Sequence, residues 1–187
     1  MRVLIHICCA PCLCRPLEAC REEGLQVEGF FYNPNIHPYQ EFCKRLKAVK
    51  VLAERTRLPV EFDECYGLAE HLERVRGPVP QRCRACYRMR LERTARRACE
   101  RGFDGFTSSL LVSAMQDHEA IRQIGAEVAA RNGIQWVYRD WRGLCSESQE
   151  MAKRMSLYRQ QYCGCIWSEY ERFSAAGEVR RAQRCTD

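Results

Sequence analysis

The chain predicts an α/β domain: a mostly parallel sheet of about five strands, covered by helices on both faces. Two observations carry this expectation. Five short apolar runs are spaced along the chain, and amphipathic stretches with apolar residues every three or four positions fall between them. Strands that alternate with helices build a parallel sheet, whose buried strands read as continuous apolar runs. At 187 residues the chain suits one domain with a sizeable core, taken as residues 1–175, followed by a polar tail over residues 176–187.

The first strand is VLIHI (residues 3–7), followed by VEGFFY (27–32), PVEF (59–62), GFTSSL (105–110) and QWVY (135–138). Phe42, Leu46, Val49 and Ala53 make a helical stripe after the second strand. Ile121, Ile124 and Val128 make another, which stops at Asn132 and Gly133 as helices often do. The last forty residues hold no clear strand and read as helices laid over the sheet edge that carries the chemistry. No stretch of 18 apolar residues exists, so no membrane-spanning helix is expected.

Fourteen cysteines are too many to ignore. The start of the chain has no long apolar region followed by a cleavage site, so the chain is expected in the reducing cytoplasm, where cysteine clusters bind metal or react more often than they form bridges. Three clusters stand out: Cys8, Cys9 and Cys12 in HICCAPC; Cys83 and Cys86 in RCRACYRMRLE; Cys163 and Cys165 in YCGCIWS. The first follows the first strand, on the carboxyl edge where parallel sheets bind ligands. The second is a C-x-x-C at the start of an apparent helix, where amides favour a thiolate. Gly164 leaves room between the last two thiols for a bulky inorganic group. A redox dithiol, a closed zinc site and an iron-sulfur cluster are all compatible with these spacings; seven thiols exceed the four of a structural zinc site and leave a surplus over the four of a cluster. The other seven cysteines (Cys14, Cys20, Cys43, Cys65, Cys99, Cys145, Cys185) are expected to be small apolar fillers.

The formal charge of +6 and an isoelectric point near 8.7 favour an anionic partner such as nucleic acid. Of the 30 basic residues 26 are arginine, which suits phosphates and bases but also follows from GC-rich codons.

Together HICCAPC, YNPNIHP, RCRACYRMRLERTA, FTSSLLVSAMQDHEAIRQIG and YRQQYCGCIWSE resemble the cobalamin-independent, QueH-like epoxyqueuosine reductases, over nearly the whole chain to about Phe173. Relatives of that family often read TTLLISP where this chain has SSLLVSA, and have an acidic, glycine-rich approach to C-x-x-C where it has GPVPQRC; the thiols are intact. The resemblance implies a three-layer HUP-like fold and an oxidoreductase that reduces epoxyqueuosine to queuosine at the wobble position of tRNA. It further implies a [4Fe-4S] cluster with an additional mononuclear iron, and an electron donor that the sequence does not identify.

On that reading Cys8, Cys9, Cys12, Cys83, Cys86, Cys163 and Cys165 are the metal ligands, and Cys163 with Cys165 is also a candidate electron-holding dithiol. Asp117, His118 and Tyr162 are candidate proton donors, while His6, within a buried strand, is expected to be a core residue. Tyr32, Asn33 and Asn35 are candidates to meet the target base of the anticodon loop, where bases splay out and stack. Arg88, Arg90 and Arg159 are candidates for phosphates. Two rival readings are an ATP-pyrophosphatase-like tRNA-modifying enzyme, which wants a Gly/Ser-rich loop where HICCAPC has no glycine, and a zinc-stabilised RNA-binding module.

Overall fold

Buried apolar runs become five parallel strands in the order β3-β2-β1-β4-β5. The computed structural model describes residues 1–174, Val79 without its side chain; the expected polar tail 176–187 and Cys185 lie outside the described residues. The strands are β1 (Arg2–His6), β2 (Gln26–Phe31), β3 (Val60–Phe62), β4 (Gly105–Ser108) and β5 (Gln135–Trp136). β1 is central, and Val3, Leu4, Ile5 and the following Ile7 are wholly buried. Each such side chain contributes about 1.5–3 kcal/mol on removal from water.

Seven α-helices join and cover the strands: α1 (Ala10–Glu22), α2 (Tyr39–Thr56), α3 (Leu68–Arg74), α4 (Val79–Glu100), α5 (His118–Asn132), α6 (Cys145–Arg154) and α7 (Ile166–Phe173). α1 packs on α2 and α6, whereas α4 packs on α5 and lies against β1 and β4. Right-handed crossovers place these two groups on opposite faces of the sheet. Among the described residues no helix is long and apolar enough to cross a membrane.

Three elements differ from the sequence expectation. GFTSSL does not run to Leu110 as a strand: the Ser108 hydroxyl accepts from the Leu110 amide at 3.2 Å and turns Ser109–Val112 into a 3-10 helix. β5 is two residues long, although the Val137 amide still bonds the Phe106 carbonyl at 2.9 Å. The buried face of α2 is centred on Phe42, Arg45, Val49 and Leu52, with Leu46 and Ala53 only half-buried, so a charged pair, Glu41 and Arg45, sits inside the stripe. α5 meets its expectation: Ile121, Ile124 and Val128 are buried and Gly133 closes the helix at φ +64°.

Candidate metal centre

From β1 the chain crosses to β2 on one side, and the return from β3 reaches β4 on the other. The strand order therefore reverses at β1, and the ends of β1 and β4 open a crevice of the kind that holds ligands in such sheets. His6 locks the crevice floor. Its Nδ1 lies 2.9 Å from the Ser108 hydroxyl and its Nε2 3.1 Å from the Tyr32 carbonyl, so Nε2 carries the proton and three strand ends are tied together. Burial lowers its pKa to about 4, and it is a neutral core residue as expected.

Cys8 and Cys9 leave β1 directly into that crevice. The Ser109 hydroxyl accepts from the Cys8 amide at 3.0 Å and donates to the Cys8 sulfur at 3.2 Å. Cys9 is the N-cap of α1, and its sulfur accepts from the Cys12 amide at 3.3 Å. The Cys8 and Cys9 sulfurs are 3.8 Å apart, and all three thiols lie within 4.8 Å of one another. Gln160 Nε2 donates to Cys9 at 2.8 Å and to Cys12 at 3.4 Å. Cys8 ionises first of the three, because the thiols of Cys12 and Cys9 and the Ser109 hydroxyl all donate to it. Burial keeps the proton on Cys9, and donation to Cys8 and Cys9 keeps it on Cys12.

The other four thiols come from two distant segments. Cys83 and Cys86 are the fifth and eighth residues of α4, so their amides are already bonded within the helix. This corrects the expectation for C-x-x-C: the helix start that serves a thiolate is that of α1, at Cys9. Burial pushes the Cys83 thiol up and that of Cys86 to about 12, opposed at both by Arg90. Cys163 and Cys165 flank Gly164 just before α7. Arg45 clamps this loop, giving Nη1 to the Cys163 carbonyl at 2.8 Å, Nη2 to the Tyr162 carbonyl at 3.0 Å and Nε to Glu41 at 2.7 Å. All seven thiols line one cavity of about 700 Å³.

The remaining candidates divide. Asn35, 1 % exposed, lines the cavity with its Oδ1 unpartnered, and Tyr162 lines it while donating its hydroxyl to the His37 carbonyl. Asn33 is buried, and its Nδ2 donates to the Ile7 carbonyl at 2.8 Å, a tie between strand ends, while its Oδ1 has no partner. Tyr32 faces a separate pocket, its hydroxyl on Glu70 at 3.0 Å. Asp117 caps α5 by accepting from the Ala120 amide at 3.0 Å, and neither it nor the buried His118 lines the cavity. Arg88 pairs with Glu127 at 2.6 Å on the α4–α5 surface. Arg159 is exposed and outside the cavity. Arg90 is 1 % exposed inside the cavity, which removes it from any phosphate contact on the surface. Of the expected fillers, Cys14 and Cys20 are in the core, but Cys65 and Cys99 are exposed and Cys43 and Cys145 half-buried.

Sequence reading missed several cavity residues: Arg45, Tyr87, Gln116, Gln160, His71 and the half-buried stack of Arg82 on Trp167 at 4.6 Å. Only Arg45 left a signal, a Glu-Arg pair four residues apart within an apolar stripe. The donor set fits a metal centre. Soft thiols converge on one cavity, and the buried cation Arg90 and buried Asn35 and His71 keep polar atoms there without partners.

Comparison with known proteins agrees with this chemistry. A family model described as epoxyqueuosine reductase QueH matches residues 3–171, which take in all three cysteine segments. Relatives named epoxyqueuosine reductase QueH include one from Dehalococcoides mccartyi, 39% identical over 92% of this chain and 94% of its own. One from Thermotoga maritima is 35% identical over 96% of each chain, and one from Acinetobacter baylyi is 37% identical over 89% of this chain and 80% of its own. With its thiols converging on one cavity and its length matched almost end to end, the chain belongs to the epoxyqueuosine reductase QueH family.

Proposed function

We propose that residues 1–175 form one cytoplasmic catalytic domain, HUP-like in fold, that reduces epoxyqueuosine to queuosine at the wobble position of tRNA with a [4Fe-4S] cluster and an adjacent iron. The observation that carries the reading is the convergence of seven thiols from three distant segments on one crevice at the carboxyl edge of the sheet. A metal held tetrahedrally by sulfur at about 2.3 Å sets neighbouring sulfurs about 3.8 Å apart. The Cys8 and Cys9 sulfurs have that spacing, 3.8 Å, so the triad with Cys12 suits a single ion. Cys83, Cys86, Cys163 and Cys165 then supply the four thiolates a cluster takes.

Removing the epoxide oxygen as water leaves an alkene and consumes two electrons and two protons. When bound, the cluster supplies electrons singly and the iron a Lewis acid for the oxygen. The chain's own residues supply the rest. Tyr87 keeps its proton because burial pushes its phenol up, and its oxygen accepts from the Asp117 amide at 3.2 Å, so its O–H remains to donate into the cavity. This makes Tyr87 a better proton donor than Tyr162, whose O–H is engaged, or than Asp117 and His118. Asn35 offers its unpartnered Oδ1 to the base or its cyclopentane hydroxyls, and exposed Arg159 meets phosphate. The four thiols of the cluster site, Cys163 and Cys165 among them, would hold the cluster through which electrons from a low-potential donor pass one at a time.

Iron-loaded protein incubated with epoxyqueuosine-bearing tRNA and dithionite is expected to yield a nucleoside lighter by one oxygen. An unchanged nucleoside, with iron and sulfide present, contradicts the proposal.

A further inference from the structure

Two arginines are buried at the sulfur cavity, and they are satisfied in different ways. Arg45, 2 % exposed, has a carboxylate and two carbonyls on its three nitrogens. Arg90, 1 % exposed, has one bond, from Nε to the Cys86 carbonyl at 3.3 Å. Its Nη2 meets no acceptor, and among the described residues no carboxylate lies within ion-pair distance of it. The Tyr87 ring, 5.9 Å away, gives it only a weak quadrupole contact.

A guanidinium does not shed its proton in a protein. Buried without a counter-charge it is strongly destabilising, so the negative charge that balances it has to come from the cavity. The groups that line the cavity with Arg90 and become anionic on binding a metal are the thiols of Cys86, Cys163 and Cys8. These thiols represent all three cysteine segments.

We propose that Arg90 is the counter-cation of the thiolate-held metal centre and sets how readily that centre accepts an electron. It is a positioning residue that acts through the centre and does not touch the substrate. This rests on the metal reading above. Adding one electron to a four-thiolate [4Fe-4S] centre, from the 2+ to the 1+ core, takes its total charge from 2− to 3−. A fixed positive charge in a cavity of low dielectric favours the more negative state, and a donor N–H directed at sulfur acts in the same direction.

Arg90→Met keeps the length of the stem and removes the charge, while Arg90→Lys keeps the charge. The measurement is the midpoint potential of anaerobically loaded protein, titrated with dithionite and followed by the visible spectrum, with iron and sulfide per chain counted first. In Arg90→Met the reduced-to-oxidised ratio at a fixed potential is expected to drop at least about tenfold, equivalent to about 59 mV for one electron, with Arg90→Lys within about threefold of the wild type. A fully loaded Arg90→Met with an unmoved potential overturns the proposal. If Arg90→Met does not fold or load, Arg90→Lys decides: a wild-type potential supports it, and a shift of about tenfold or more overturns it. Wild-type protein without iron and sulfide refutes the metal reading itself, whereas a loaded wild type with an unmoved Arg90→Met refutes this inference alone.

Discussion

Gly164 is held at φ +143°, and a Cβ there would stand 3.1 Å from Asn35 Nδ2, 3.2 Å from Arg45 Nη1 and 3.3 Å from Ile36. Of those neighbours Arg45 is the clamp on the Cys163–Cys165 loop, so it cannot give way without disturbing the Cys163 carbonyl that it holds. Gly164→Ala is expected to cost about 1–3 kcal/mol in urea unfolding and to lower iron content, whereas wild-type stability and loading would contradict the clamp. The sequence places this glycine between two thiols but does not show which protein groups a Cβ there would crowd, a buried asparagine and arginine. The same limit applies to Arg88 and Arg90. Residues two apart on a helix point in nearly opposite directions, so one pairs with Glu127 outside and the other enters the cavity. Both stand in YRMRLE, where neither charge nor spacing says which face is inside.

Strand β1 was legible because burial on both faces leaves a continuous apolar run, while helix starts were not. Pro80 is tolerated in the first turn of a helix, so α4 begins at Val79 and carries Cys83 and Cys86 past its first turn. β5 is short and at the sheet edge, and it is held by β4 on one side and by α5 packed on its face. A Cβ on Gly125 of α5 would fall 2.3 Å from the Trp136 ring, which itself packs on Phe106 at 4.9 Å. Gly125→Ala is therefore expected to destabilise the fold by about 1–3 kcal/mol through overpacking, with the Trp136 fluorescence shifted. An alanine variant of equal or greater stability would show that α5 does not bear on β5 in this way.

Across the whole molecule, all four histidines are held below their ordinary value of 6.5, with burial the largest cause at each; His6 falls to about 4 and His71 to about 3. The unfolded chain takes up protons as pH falls through 6.5, and the folded chain resists until its lowered values are reached. Stability is therefore full above pH 6.5 and declines as pH drops toward 4. Urea midpoints measured downward from neutral pH should fall, and fall less in His118→Gln, whose histidine lies outside the cavity; equal slopes would contradict this. At the same scale, the convergence of Cys8, Cys83 and Cys163 is invisible to local pattern. Those segments lie far apart in sequence, and only the parallel topology and the order of the motifs bring them to one edge. The most direct test of that convergence is a count of iron and acid-labile sulfide per chain in anaerobically purified wild type, Cys83→Ser and Cys20→Ala. Cys20 is buried in the core away from the cavity, so Cys20→Ala should match a brown wild type, while Cys83→Ser loses its sulfide and colour. Full iron and sulfide in Cys83→Ser, or a colourless wild type that holds zinc alone, would contradict the account.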